Sequence, residues 1–271
     1  MVRCGRSCNT LTQLLIIIIA LVNIVPTAAQ PSAISIGIGL GGAFTGYREE
    51  TEAEINRYFN TLTYNIDGAI TKGNFLHSLN AHFFSGNALM AAPYRGYEHR
   101  QYNASRAFLE YALTYRLWGN QTFPGYLGGA YRTIVYFTQV DELLARMPTG
   151  YILFSLDMHI VQKWIINARN SLGLSVSFPF LGYAVRPPFA MTDSLWEKYL
   201  NERTYIRILG LGEMTSFHNF MAIFSGLKYQ CRINSLLSLN AGLDLELSRF
   251  MFYRQRIDAI SRFNAGISFA F

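Results

Sequence analysis

Between residues 151 and 164 every second side chain is apolar. Ile152, Phe154, Leu156, Met158 and Ile160, with Trp164 at the end, stand against Tyr151, Ser155, Asp157, His159 and Lys163. A period of two places the two sets on opposite faces of an extended strand. The second face is too polar for a strand buried on both sides, and the alternation is too strict for a helix. The pattern recurs along the chain. Over 58–71, Leu62, Tyr64, Ile66 and Ile70 oppose Thr61, Thr63, Asn65, Asp67 and Thr71. Over 105–118, Ala107, Leu109, Tyr111, Leu113, Tyr115 and Leu117 oppose Arg106, Glu110, Thr114 and Arg116. Over 236–249, Leu237, Leu239, Leu243, Leu245 and Leu247 oppose Ser238, Asn240, Asp244, Glu246 and Ser248. Weaker copies at 33–44, 75–87, 123–137, 171–180, 217–231 and 262–271 bring the predicted strands to ten.

Two-faced strands of this kind suit a wall with lipid on one side and a polar lumen on the other. Composition agrees: 51% of the residues are hydrophobic and 15% charged, against roughly a quarter charged in an ordinary soluble domain. Such a chain is not disordered. Beyond residue 29 no apolar run approaches the roughly 18 residues of a spanning helix. The remaining membrane option is an all-β, antiparallel, up-and-down barrel closed on itself. The connections support it. Lys72-Gly73-Asn74, 119–122, 167–170 and 232–235 are short and rich in Gly, Asn and Ser, whereas 45–57, 88–104, 138–150, 181–216 and 250–261 are mostly longer and more charged. Short and long alternate throughout, as they do in barrels with tight turns at one rim and long loops at the other. The strand-like stretch 204–214 falls inside the longest connection. It reads as an early start of strand eight or as a hairpin outside the membrane; counted as a separate strand pair it would make twelve strands.

Residues 1–29 read as a cleavable secretory signal, with Arg3 and Arg6 before an apolar core from Leu14 to Val25 and Thr27-Ala28-Ala29 at the cleavage site. A membrane anchor is the alternative, but the core is short of the roughly 17 to 25 residues that a span requires. Cleavage would leave a barrel domain at 30–271 with 21 basic and 17 acidic residues, a net charge of +4, and Cys231 as its one thiol. A single thiol makes no internal disulfide. The basic residues are dispersed, without the clustered patch of a nucleic-acid binder, so no nucleic-acid partner is expected.

The last segment, Arg262-Phe263-Asn264-Ala265-Gly266-Ile267-Ser268-Phe269-Ala270-Phe271, alternates and ends on an aromatic. It resembles the final strand of Gram-negative outer-membrane β-barrel proteins, whose terminal aromatic is read by the barrel-assembly machinery. As an architecture the resemblance spans the signal and essentially all of 30–271. It implies a location in the bacterial outer membrane and a surrounding of lipid bilayer and lipopolysaccharide. It also implies contact with the assembly machinery through the strand ending at Phe271. Trp164, Phe123, Tyr229 and Phe271 fall at the depth of one membrane interface, where an aromatic girdle is expected. Trp118 shares that depth but has lumen parity, so it joins the girdle only if its strand twists outward at the end.

The candidate chemistry lies on the inward face. Asp67, His82, Arg106, Glu110, Arg116, Arg132, Asp157, His159, Lys163, His218, Lys228, Asp244, Glu246 and Arg262 are predicted to point into the lumen. Charges of both signs in a narrow barrel pair and fill it. The expected ion network joins Arg106, Glu110, Arg116, Arg132, Lys163, Asp244, Glu246 and Arg262. Asp157-Met158-His159 places a carboxylate and an imidazole on one strand face, where one could orient the other as a general base. The pair is similar to the Asp-x-His half of the ten-stranded omptin proteases. Those enzymes also use two further aspartates to hold the attacking water, and Asn65-Ile66-Asp67 supplies only one. Ser78 with His82, and Ser155 with His159, are four residues apart on a strand, roughly 13 Å, too far to pair. Gly37-x-Gly39-x-x-Gly42 has dinucleotide-loop spacing but lies within a strand; Ser35, Gly37, Gly39 and Gly41 instead form a small-residue lumen face that leaves room for bulky side chains opposite. The five histidines have no metal-binding spacing. No cofactor and no metal are expected.

The long connections offer partner-binding material. Glu49, Glu50, Glu52 and Glu54 are acidic; Tyr94, Arg95, Tyr97, Arg100 and Tyr102 are interface-type residues, as are Trp196, Lys198 and Tyr199 in a predicted short helix over 193–201. The leading expectation is a structural or surface-interaction barrel with an ion-paired, largely closed lumen. The alternatives are a narrow channel for ions or small solutes, and a hydrolase built on Asp157 and His159.

Overall fold

A computed structural model describes residues 33–49, 57–90, 102–141, 146–185, 212–251 and 255–271. The strands are β1 (Ala33–Glu49), β2 (Arg57–Lys72), β3 (Phe75–Met90), β4 (Tyr102–Trp118), β5 (Gly125–Asp141) and β6 (Arg146–Ile165). They continue with β7 (Asn170–Val185), β8 (Glu213–Thr215), β9 (Phe220–Arg232), β10 (Leu237–Phe250) and β11 (Arg256–Ala270). Each is antiparallel to its neighbours, and β1 pairs with β11 from Ser35↔Ala270 to Glu49↔Arg256, which closes the sheet. Closure joins the first and last strands, whose free edges a lipid environment would not tolerate.

The short β8 is no separate wall. It pairs with the far end of β7 through Gly182↔Thr215, while β9 pairs with the rest of β7 as far as Ser177↔Phe224. The two segments form one wall interrupted by a turn in which Phe220 N–H donates to Ser216 O at 2.9 Å. The wall count is therefore ten and not twelve, and the described end of the 204–214 stretch starts the eighth wall. His218, expected in the lumen, sits exposed in this turn with its Nδ1 2.5 Å from Ser216 Oγ. Pairing resumes at Phe220, after the turn that interrupts the predicted 217–231 segment.

The strands run further toward the long connections than the alternation indicates. β6 begins at Arg146 rather than 151, and β11 at Arg256 rather than 262. Where both faces meet water or polar neighbours, the outward face no longer has to be apolar, and the hydrophobic period fades before the hydrogen bonding does. The predicted loop residues Glu50 to Glu54, Tyr94 to Arg100 and 193–201 lie outside the described residues.

At the opposite rim asparagine side chains close three of the four short turns. Asn120 Oδ1 accepts from the backbone N–H of Thr122 and Phe123, Asn167 Oδ1 from Arg169 and Asn170, and Asn234 Oδ1 from Leu236 and Leu237, all at 2.7–2.9 Å. An asparagine carbonyl in this position substitutes for a backbone acceptor and fixes the chain reversal. The fourth turn uses Gly73 at φ +58°, a conformation that costs glycine nothing.

Alternation then sorts the faces as expected. Leu62, Tyr64, Leu109, Leu113, Leu243 and Leu245 are exposed on the outer surface, while Thr61, Thr63, Arg106, Thr114 and Glu246 are buried within. An apolar outer band of this extent is what a bilayer covers.

Candidate functional site in the barrel lumen

Counted around the ten-wall ring, β4 and β10 stand diametrically opposite. Arg106 on β4 reaches across the lumen to Glu246 on β10, its Nη2 donating to Oε1 at 2.6 Å and to Oε2 at 2.5 Å. The two side chains are 0% and 1% exposed. Arg132 on β5 lies between carboxylates of both adjacent strands, Glu110 on β4 and Asp157 on β6; the Asp157 contact is 2.5 Å. Arg262 on β11 pairs with Asp244 at 3.7 Å, lies 3.9 Å from Glu246, and contacts His82 through Nη1 and Nε2. The Phe108 ring is the centre of this layer. His82 stacks on it at 4.1 Å, and the guanidinium carbons of Arg106, Arg132 and Arg262 lie 5.9, 5.4 and 5.4 Å from its centroid. Arg132 also packs over Phe224 at 3.5 Å. Buried charges persist only when paired, and a ring face offers a cation further attraction as well as dry packing.

Toward the long connections a second layer fills the lumen with rings. Tyr136 meets Tyr151 at 5.5 Å, Tyr151 meets Phe250 at 4.7 Å, and Phe250 meets Phe220 at 4.6 Å. Phe84, Ile134 and Leu153 complete it. Arg256 lies over Tyr136 and Tyr151, at 4.7 and 5.2 Å, and its Nε donates to Asp258 Oδ1 at 2.9 Å. Sequence reasoning missed this layer. Phe84, Phe220 and Phe250 are apolar on the inward face, against the rule that locates the strands. Arg256 and Asp258 fell in the predicted 250–261 loop. The available signal was that Arg256, Asp258, Ile260 and Arg262 keep one parity.

Toward the short turns Leu76, Tyr126 and Val161 form a smaller buried cluster, and the charges beside it are more exposed. Asp67 on β2 holds Lys228 on β9 at 2.5 Å, with the side chains 23% and 46% exposed. Lys163 lies 5.6 Å from the Tyr126 ring and has no ion pair among the described residues. Arg116 Nη2 donates to Gly119 O at 3.2 Å. Of the expected network, Arg106, Glu110, Arg132, Asp244, Glu246 and Arg262 come together; Arg116 and Lys163 do not, because they sit near the short turns with no carboxylate opposite them. Gly37 and Gly39 leave room for side chains of the adjacent strand that face them in register: a Cβ would come within 2.8 Å of Asp67 Oδ1 and 2.5 Å of Asn65 Oδ1.

The candidate catalytic residues share the lumen but not a contact. Asp157 faces Arg132, Asp67 faces Lys228, and His159 turns to β7, where its Nδ1 lies 2.6 Å from Ser177 Oγ. His159 and Ser177 are paired in register and both are buried. Ser177 escapes sequence reasoning because strand register decides which serine meets which histidine. Among the described residues no group of three or more His, Cys, Asp or Glu side chains could hold a metal.

The interface aromatics gather at the short-turn rim. Phe123 and Trp164 pack edge to face at 5.7 Å, Tyr229 Oη donates to Asn170 Oδ1 at 2.7 Å, and Phe271 is exposed. A β-bulge between Arg116 and Trp118 turns the indole outward over Gly125, and its Nε1 donates to Gln162 Oε1 at 2.8 Å.

Ten antiparallel walls, an apolar outer band, aromatics at one rim and a charged lumen give a closed barrel like those of Gram-negative outer-membrane β-barrel proteins. One solved structure shares the fold, and others align less well. The outer membrane protease OmpT from Escherichia coli matches with a TM-score of 0.53 at 8% identity, over 91% of this chain and 99% of that one. The translocator domain of the autotransporter NalP from Neisseria meningitidis matches with a TM-score of 0.41 at 8% identity, over 97% of this chain and 96% of that one. Neisserial surface protein A matches at 0.36 and 8%, over 90% and 100%. The likeness is one of fold. No protein-family model matches the chain, and no curated protein sequence matches it.

Proposed function

We propose that the chain is an integral outer-membrane barrel of structural or surface-interaction type, with a lumen closed to solutes. Residues 1–29 would serve as its cleaved export signal. The short turns would face the periplasm and the long connections the cell exterior, with lipopolysaccharide and phospholipid covering the outer band. Assembly would proceed through recognition of the strand ending at Phe271.

One observation carries the closed-lumen reading: the Arg106–Glu246 bridge crosses the full lumen, 0% and 1% exposed, beneath a continuous layer of rings. A channel would need water to pass both layers. A hydrolase would need a substrate to reach His159 and Ser177 where they are enclosed, and Asp157 to leave Arg132. Fractionation of expressing cells, with N-terminal sequencing of the membrane-extracted protein, tests location and export; the expected result is outer-membrane recovery with a new terminus at Gln30. Liposomes carrying the protein are expected to exclude small sugars as protein-free liposomes do. Swelling above that background would overturn the closed lumen.

A further inference from the structure

The short-turn half of the lumen carries more cations than its acids can match. Register sets Lys163 of β6 and Lys228 of β9 at one level, on either side of Gly173 of β7. With strands about 4.8 Å apart, the two lysine Cα atoms lie about 10 Å from each other. A Cβ on Gly173 would meet only Lys228 O, at 3.8 Å, so backbone packing does not require the glycine there. What the missing side chain leaves is a notch between the two lysine side chains. Arg116, paired in register with Tyr126, adds a third cation beside the ring that Lys163 covers.

Against these three stands Asp67, which is engaged by Lys228. The next carboxylate inward, Asp244, is held by Arg262 and by Asn264 Nδ2 at 3.2 Å. The short turns and their flanks add Lys72, Arg169 and Arg232 and no acidic residue. Tyr126 is buried, 6% exposed; Lys228 is 46% exposed and Arg106 0%, so the chamber meets water at Lys228 and ends at the ionic layer.

We propose that this chamber binds a small phosphate-type anion between Lys163 and Lys228, over Gly173. Lys163 is the principal ligand, since no carboxylate competes for it among the described residues. Two ammonium groups straddling an open notch can each donate a charge-assisted hydrogen bond to a different oxygen of one tetrahedral anion. The same chemistry is offered by a free phosphate and by the phosphate of a phospholipid headgroup. The site does not depend on the closed-lumen reading; only its opening to the periplasm rests on the proposed topology.

The test is equilibrium dialysis of radiolabelled inorganic phosphate against the membrane-extracted protein at low salt, in a maltoside detergent that carries no phosphate. The expected result is one phosphate per chain. Lys163→Gln should weaken binding about tenfold or more, the loss of one strong contact, and Lys163→Arg should recover most of it. Gly173→Leu fills the notch with every charge retained and should abolish binding; Lys72→Gln at the outer rim should change it less than twofold. Heat-modifiable migration on gels checks that each variant is folded. No binding by the wild type, or equal binding by wild type and Lys163→Gln, would overturn the site. In nanodiscs, displacement of the labelled phosphate by phosphatidylglycerol identifies a headgroup ligand, and retention identifies a free anion.

Discussion

Toward the long connections, inward positions carry Phe84, Tyr136, Tyr151, Phe220 and Phe250, and with them Arg256 is 1% exposed. Toward the short turns, inward positions carry Gly37, Gly39, Gly173 and Gly226 beside Lys163, and the Asp67–Lys228 pair stays 23% and 46% exposed. The same strands, with the same alternation, thus line a half sealed by rings and a more open half with a smaller buried cluster of Leu76, Tyr126 and Val161. Parity tells which side chains enter a barrel; their summed volume decides whether the lumen is filled there. Charges then take their energetic weight from the half they occupy. An ion pair enclosed among rings is costly to break, whereas one in water contributes little.

The largest effect is expected at the boundary between the halves. Glu246→Ala leaves Arg106 enclosed without its counter-charge and should lower stability by about 3–5 kcal/mol in guanidinium unfolding from detergent. Replacing Arg106 and Glu246 together by methionine should restore most of that loss; if the double variant is as unstable as the single one, the pairing account of this layer fails. Phe250→Ala removes the ring shared by Tyr151 and Phe220 and should cost about 3 kcal/mol. It should also loosen the seal, detected as faster solvent exchange of the Arg106 guanidinium. Asn167→Ala, which deletes two backbone hydrogen bonds in a turn, should cost about 1 kcal/mol in the same unfolding measurement. The smallest effect is expected in the open half: Asp67→Asn should cost less than about 1 kcal/mol, and the difference should vanish at high salt. A loss at Asp67 as large as that at Glu246 would abolish the contrast.

Much of this arrangement is legible without coordinates. Strict alternation over 58–71, 105–118, 151–164 and 236–249 assigns inward and outward faces that the barrel reproduces. The asparagines of the short turns mark the reversals, because their side chains hydrogen-bond locally. What sequence does not carry is anything set by register or curvature. Arg106 meets Glu246, 140 positions away, only because β4 and β10 stand opposite in a ring of ten. Ser177 meets His159 because β7 pairs with β6 at that step and not one residue along. A bulge, which parity alone cannot foresee, turns Trp118 outward. The ring layer stayed hidden because apolar residues facing inward look, to a period-two test, like interruptions of the pattern.

The sealed half is the centre of this account, and ionic current tests it most directly. Single-channel recording of the membrane-extracted protein in a planar bilayer, with folding checked by heat-modifiable migration, should give no steady conductance. A reproducible conductance from the folded wild type, altered by a charge change at Arg132, would show a water path through the ionic layer and contradict the closed lumen.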